Sequence, residues 1–62
     1  MIIKVENEKG NTVFVGDAEL YLELNDNDTE LEQILNALDY TNISEVYYGD
    51  LLIEKELELI YD

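Results

Sequence analysis

The chain has no cysteine, histidine, arginine, proline or tryptophan. Without cysteine there is no disulfide, no thiolate-bound zinc and no cysteine nucleophile. Without histidine, the usual neutral-pH general base and the commonest metal ligand are both missing. Hydrolysis by a serine–histidine pair is therefore excluded. The three glycines, Gly10, Gly16 and Gly49, are isolated turn residues, so there is no glycine-rich loop to cradle a phosphate. No apolar run reaches the roughly 18 residues that mark a membrane-spanning helix. Met1-Ile2-Ile3-Lys4 lacks a basic region ahead of an apolar stretch, so no secretory signal is expected and a cytoplasmic setting is. Positive charge is also scarce. Three lysines stand against 16 Asp and Glu, a formal net charge of −13 over 62 residues.

That charge repels nucleic acid and anionic membranes, so neither is expected as a direct partner. It is also a signal for disorder. Against it, 47% of the residues are hydrophobic, and they are patterned. The reading is one folded domain over residues 1–62, of marginal stability, because a chain this short buries only roughly 60% of the surface its unfolded form exposes.

Met1 to Val5 and Thr12 to Val15 are β-rich. Asn7-Glu8-Lys9-Gly10-Asn11 between them fits a three-residue hairpin loop with Gly10 in the left-handed position. Pairing Asn7 with Asn11 sets Val5 opposite Val13 and Ile3 opposite Val15 on one buried face, with Lys4 and Phe14 on the other. Gly16-Asp17 fits a type II′ turn. Ala18-Glu19-Leu20-Tyr21-Leu22-Glu23-Leu24 then alternates strictly, which predicts a third strand burying Ala18, Leu20, Leu22 and Leu24. A helix is the rival assignment, since Glu and Leu favour it. Asn25 to Asp28 stop this element. Thr29 with Glu32 reads as a capping box. Leu31, Ile34, Leu35 and Leu38 predict a helix from about Glu30 to Asp39. Ile43 to Tyr48 and Leu51 to Tyr61 predict two strands about a second Gly-Asp turn. Tyr48 then pairs with Leu51 and Val46 with Ile53, and Leu51, Ile53, Leu57, Leu59 and Tyr61 are buried. Lys55 interrupts that face and snorkels or marks a bend. The expected fold is α+β, ordered β-β-β-α-β-β, an antiparallel sheet with one helix packed on one face.

Few groupings suggest chemistry. Asp26-Asn27-Asp28-Thr29-Glu30 opens like a calcium loop, but Leu31 and Ala37 occupy the positions that require Gly and Glu. A helix cap accounts for it better. Paired carboxylates could serve acid–base catalysis, but such a pair needs a cleft and a raised pKa, and a chain this small has little room for one. Asn27-Asp28-Thr29 and Asn42-Ile43-Ser44 match the glycosylation sequon, which means little without a secretory signal. No enzyme, catalytic residue, cofactor or metal is expected.

The acidic strand face is the strongest feature. Glu19, Glu23, Glu45, Glu54, Glu56 and Glu58 should project outward, with Phe14, Tyr21 and Tyr47 among them. Carboxylates two residues apart on a strand lie roughly 6.5–7 Å apart. Duplex DNA carries a phosphate about every 3.4 Å of rise along each strand. Several acidic strands side by side would offer a comparable density of negative charge to a basic groove, with aromatics as anchors. The candidate partner-binding residues are Glu19, Tyr21, Glu23, Glu45, Tyr47, Glu54, Glu56 and Glu58. A solvated face kept acidic for solubility and edge protection is the competing account. Solubility, however, is served by a net charge of magnitude about 2–8 in a small domain, well short of the 13 seen here.

With Ala18-Glu19-Leu20-Tyr21-Leu22-Glu23-Leu24 and Ile53-Glu54-Lys55-Glu56-Leu57-Glu58-Leu59, the chain resembles the small acidic inhibitors encoded by phages. These include DNA mimics that block restriction enzymes, uracil-DNA glycosylase inhibitors and anti-CRISPR proteins that bind type II effector nucleases. The shared character is small size, absence of cysteine, strong acidity and a compact β-sheet with a helix. The resemblance implies a non-enzymatic inhibitor, favoured here as an anti-CRISPR, whose acidic surface occupies the basic DNA-binding surface of a nuclease. Monomer and dimer both remain open. The alternative is a small phage or plasmid structural or assembly module with a solvated acidic face, its last strand a sheet edge able to pair with another chain.

Overall fold

The computed structural model describes residues 1–56. Four strands and two helices run in the order β-β-α-α-β-β: β1 (Ile2–Glu6), β2 (Thr12–Asp17), α1 (Ala18–Leu24), α2 (Thr29–Tyr40), β3 (Glu45–Tyr48) and β4 (Leu51–Lys55). The strands form one open antiparallel sheet, ordered β2-β1-β4-β3. Both helices contribute to a single core on one face of this sheet. The α+β class and the antiparallel sheet therefore hold, while the expected third strand is a helix.

The first hairpin closes as its loop chemistry requires. The Asn7 amide donates to the Asn11 carbonyl at 2.9 Å, and Gly10 takes φ +83°. The Asn7 side-chain oxygen accepts from the amides of Lys9 and Asn11, both at 3.0 Å. Beyond the loop, the register departs from expectation. Glu6 pairs with Thr12 but Val5 pairs with Phe14, which leaves Val13 as the extra residue of a bulge. One inserted residue exchanges the two faces of a strand. Phe14 therefore turns toward the core, while Val13 and Val15 are 52% and 60% exposed. Ile3 pairs with Gly16, and Lys4 faces outward opposite Val15.

Gly16 and Asp17 make no hairpin turn. Asp17 caps α1, its carboxylate accepting from the Glu19 amide at 2.8 Å. A side-chain acceptor at this position satisfies one of the orphan amides at a helix start. Within α1, Ala18, Tyr21 and Leu22 stand at i, i+3 and i+4. Ala18 and Tyr21 are buried and Leu22 packs against the core, while Leu20 and Leu24 are 49% and 65% exposed. The strict alternation was thus produced by two leucines that face water. The element ends at Asn25, whose side-chain amide donates to the Tyr21 carbonyl at 2.9 Å. Asp26 and Asn27 follow with φ of +58° and +54°, a region that Asn and Asp tolerate.

Helix α2 forms as expected, burying Leu31, Leu35 and Leu38 with Ile34 beside them. Its cap is one residue earlier than the Thr29 capping box. The Asp28 carboxylate accepts from the amides of Glu30 (2.8 Å) and Leu31 (3.2 Å). The second hairpin keeps the expected register, Tyr48 opposite Leu51 and Val46 opposite Ile53. Gly49, with φ +62°, has the sign that a II′ turn requires at its first central residue. Lys55 snorkels: its amine donates to the Thr41 carbonyl at 3.4 Å, just past the end of α2. Leu57, Glu58, Leu59 and Tyr61 lie outside the described residues.

Candidate protein-interaction surfaces

Of the eight residues proposed as one acidic face, Glu58 lies outside the described residues, and the other seven are divided between two sides of the molecule. Cross-strand partners in an antiparallel sheet share a face. The uncovered face therefore carries two rows. One reads Val15, Lys4, Glu54, Glu45, and the other Thr12, Glu6, Leu52, Tyr47. Glu45, Tyr47 and Glu54 meet there as expected, and Tyr47 is 70% exposed. Glu6 joins them, one diagonal step from Glu54. Sequence alternation alone could not reveal this, because it depends on β1 and β4 being neighbours. Glu56 continues past β4, its amide donating to the Ile2 carbonyl at 3.0 Å.

This face is electrostatically strained at one point. The Glu54 carboxyl is pushed up from its ordinary value, first by partial desolvation and then by the negative charge of Glu6 and a carboxyl–carboxyl hydrogen bond with it. Lys4 pulls the other way, and Glu45 adds to the rise. Lys4 thus sits opposite Glu54 within the acidic patch and partly neutralises it.

Glu19, Tyr21 and Glu23 are on α1, on the other side of the sheet. Tyr21 is not an outward anchor. It is buried, and its ring lies against that of Phe14 with centroids 4.9 Å apart and planes tilted by 43°. Burial pushes its phenol up from the ordinary value, with the Asn25 side chain acting the other way. Glu19 and Glu23 remain exposed and line an open groove of about 400 Å³ between the helices. Asp17, Glu32 and Asp39 also line it, as do the apolar side chains of Met1, Ala18, Leu22 and Leu35, and Tyr40 stands 81% exposed at its margin. No lysine lines this groove. The sequence pattern exposes Glu30, Glu32, Asn36 and Asp39 on α2 as an alternative binding element, but it does not bring Glu32 and Asp39 beside Glu19 and Glu23, and it misses Asp17 and Tyr40. The signal available was the helix spacing of Glu32, Asn36, Asp39 and Tyr40, which places them along one side of α2.

Among the described residues no group of three or more acidic side chains is arranged to hold a metal ion, and no helix is long and apolar enough to cross a membrane. No protein family, curated protein or solved structure matches the chain.

Proposed function

We propose that the protein is a non-enzymatic inhibitor that occupies the basic, nucleic-acid-binding surface of a partner enzyme, in the manner of an anti-CRISPR directed at a type II effector nuclease in the bacterial cytoplasm. One observation carries the reading. Among the described residues, the groove between α1 and α2 is lined by five carboxylates, those of Asp17, Glu19, Glu23, Glu32 and Asp39, with no lysine among them. Charges that served only solubility would be interspersed with opposite sign.

The mechanism follows from charge and spacing. Glu19 and Glu23 are one helical turn apart, so their Cβ atoms lie about 5–6 Å from each other. Carboxylates at this spacing can replace phosphates as acceptors for Arg and Lys, and Arg binds a carboxylate through two parallel hydrogen bonds. Tyr40 supplies an exposed aromatic anchor at the groove margin. The long-range field raises the association rate and rejects acidic competitors. The sheet face, with Lys4 among its carboxylates, is the weaker acidic surface.

The test is competition. A purified type II effector loaded with guide RNA is titrated with a fluorescent target duplex, and the protein is added at about 0.1 M and then about 1 M salt, where the Debye length falls from about 10 Å to about 3 Å. Loss of duplex binding at the lower salt, relieved at the higher, is the expected result. Neutralising Glu19, Glu23 and Glu32 to Gln together should abolish competition. Inhibition that is indifferent to salt and to these changes would sink the electrostatic mechanism.

A further inference from the structure

We infer that the edge of β2, which has no neighbouring strand among the described residues, pairs with β2 of a second copy, antiparallel, joining the two sheets into one. An edge strand presents unpaired amides and carbonyls, and proteins ordinarily blunt such edges with short strands, charge, proline or a bulge that twists the edge away. The sheet's other edge, β3, is blunted: it is four residues long and begins with Glu45. β2 is six residues long and carries no ionisable side chain before Asp17. In a chain with 31% charged residues, Gly10 to Gly16 is a run of seven without one. Val13 and Val15 stand exposed along it. The bulge at Val13 bends the strand but leaves both valines in water.

Charge at the ends of this run points to a second copy as the occupant. Lys9 and Asp17 each lie four positions from Val13, on opposite sides of it. An antiparallel copy related by a two-fold axis at Val13 brings Lys9 toward Asp17 of the second copy, twice, with only neutral residues between. Pairing β2 with β3 of another copy would set Glu45 near this edge without that match, and such a head-to-tail contact builds rings or open filaments rather than a two-fold dimer. Two molecules of net charge −13 repel each other, so the contact strengthens as salt screens them. The inference rests on the sheet edge alone and stands or falls independently of the inhibitor reading.

Sedimentation equilibrium on the full chain, at about 0.15 M and about 1 M salt, reads the association. A monomer–dimer equilibrium shifting toward dimer at the higher salt is expected. At that salt Val13→Lys should weaken the dimer at least tenfold, and at about 0.15 M, where the Lys9–Asp17 pairs are less screened, Lys9→Glu should weaken it at least tenfold and Lys9→Arg retain it, while the circular dichroism spectrum of each stays that of the parent. Since the chain has no cysteine, Val13→Cys gives a second readout. Cross-strand Cα separations of about 4.5–5.5 Å lie within disulfide range, about 4.4–6.8 Å. Mild oxidation should link Val13→Cys into a covalent dimer much faster than Tyr47→Cys on the sheet face. A chain that stays monomeric at about 1 M salt, open-ended polymers, a dimer insensitive to Val13→Lys, or equal cross-linking at the two positions would each overturn the inference.

Discussion

The Phe14 ring of β2 lies over Gly16 and meets Tyr21 of α1. A Cβ placed on Gly16 would stand 3.1 Å from the tip of the Phe14 ring, and that ring's centroid is 4.9 Å from Tyr21's. Gly16 thus vacates the space through which the strand's one inward aromatic reaches the helix. Gly16→Ala should cost about 1–3 kcal/mol by displacing the ring, and Phe14→Ala about 2–3 kcal/mol, less than a fully buried phenylalanine. The double substitution should cost clearly less than the sum. Urea unfolding followed by circular dichroism measures all three, and strict additivity would contradict the coupling.

Leu24 separates the helical from the extended reading of residues 18–24. It is 65% exposed, so Leu24→Lys should change stability by no more than about 0.5 kcal/mol. Tyr21→Ala, which empties a core position, should cost about 3 kcal/mol. A strand in the expected register would reverse that order.

Asp28 anchors two elements. It caps α2 through two amides. Its carboxylate also lies beside the Tyr48 phenol of β3, which is pushed up from its ordinary value by desolvation first, then by the hydrogen bond and negative charge of Asp28, with Glu30 and Tyr21 adding to the rise. Asp28→Ala should lose about 1 kcal/mol from the cap alone, whereas Thr29→Ala should change stability by no more than about 0.5 kcal/mol. Equal losses would return the cap to Thr29.

Most of the fold was legible because local chemistry agreed with tertiary packing. Asn7 and Gly10 specified the first hairpin, Gly49 the second, and the Leu31–Leu38 spacing the second helix. Two errors shared one cause. The bulge at Val13 gives no period of its own, so a valine–phenylalanine–valine run reads equally well with either face inward. Misplacing Phe14 then removed the partner that makes Tyr21 a core residue, and Leu20 and Leu24 completed a false alternation. The candidate surface suffered next: Glu19 and Glu23 moved to the opposite side from Glu45 and Glu54. The meeting of Glu6 with Glu54 was beyond reach, since it depends on strand order.

Glu54 gives a pH dependence of defined sign. Its pKa is raised on folding, so the native state holds the proton more tightly than the unfolded chain does. The resulting stabilisation is complete below the unfolded value, near 4.5, and is lost as pH rises through the folded value. Glu54→Gln should therefore raise the melting temperature at neutral pH, most at low salt, and the difference from the parent should shrink as pH is lowered toward 4.5. Thermal melts across that range measure it. A Glu54→Gln protein less stable than the parent at neutral pH would show that Lys4, not Glu6, dominates the carboxyl's surroundings.

The pairing of β1 with β4, Ile3 opposite Lys55 and Val5 opposite Ile53, has a consequence for how the molecule is made. Each hairpin can close on its own from neighbouring residues, but the centre of the sheet is the seam between them. Contacts that join distant parts of a chain form late, because loop-closure entropy opposes them. A nascent chain that has not yet released residue 51 therefore holds β1 with one side unpaired, and Ile3 and Val5 lack the strand that finishes burying them. Interrupted synthesis should yield a sticky fragment rather than a smaller folded one.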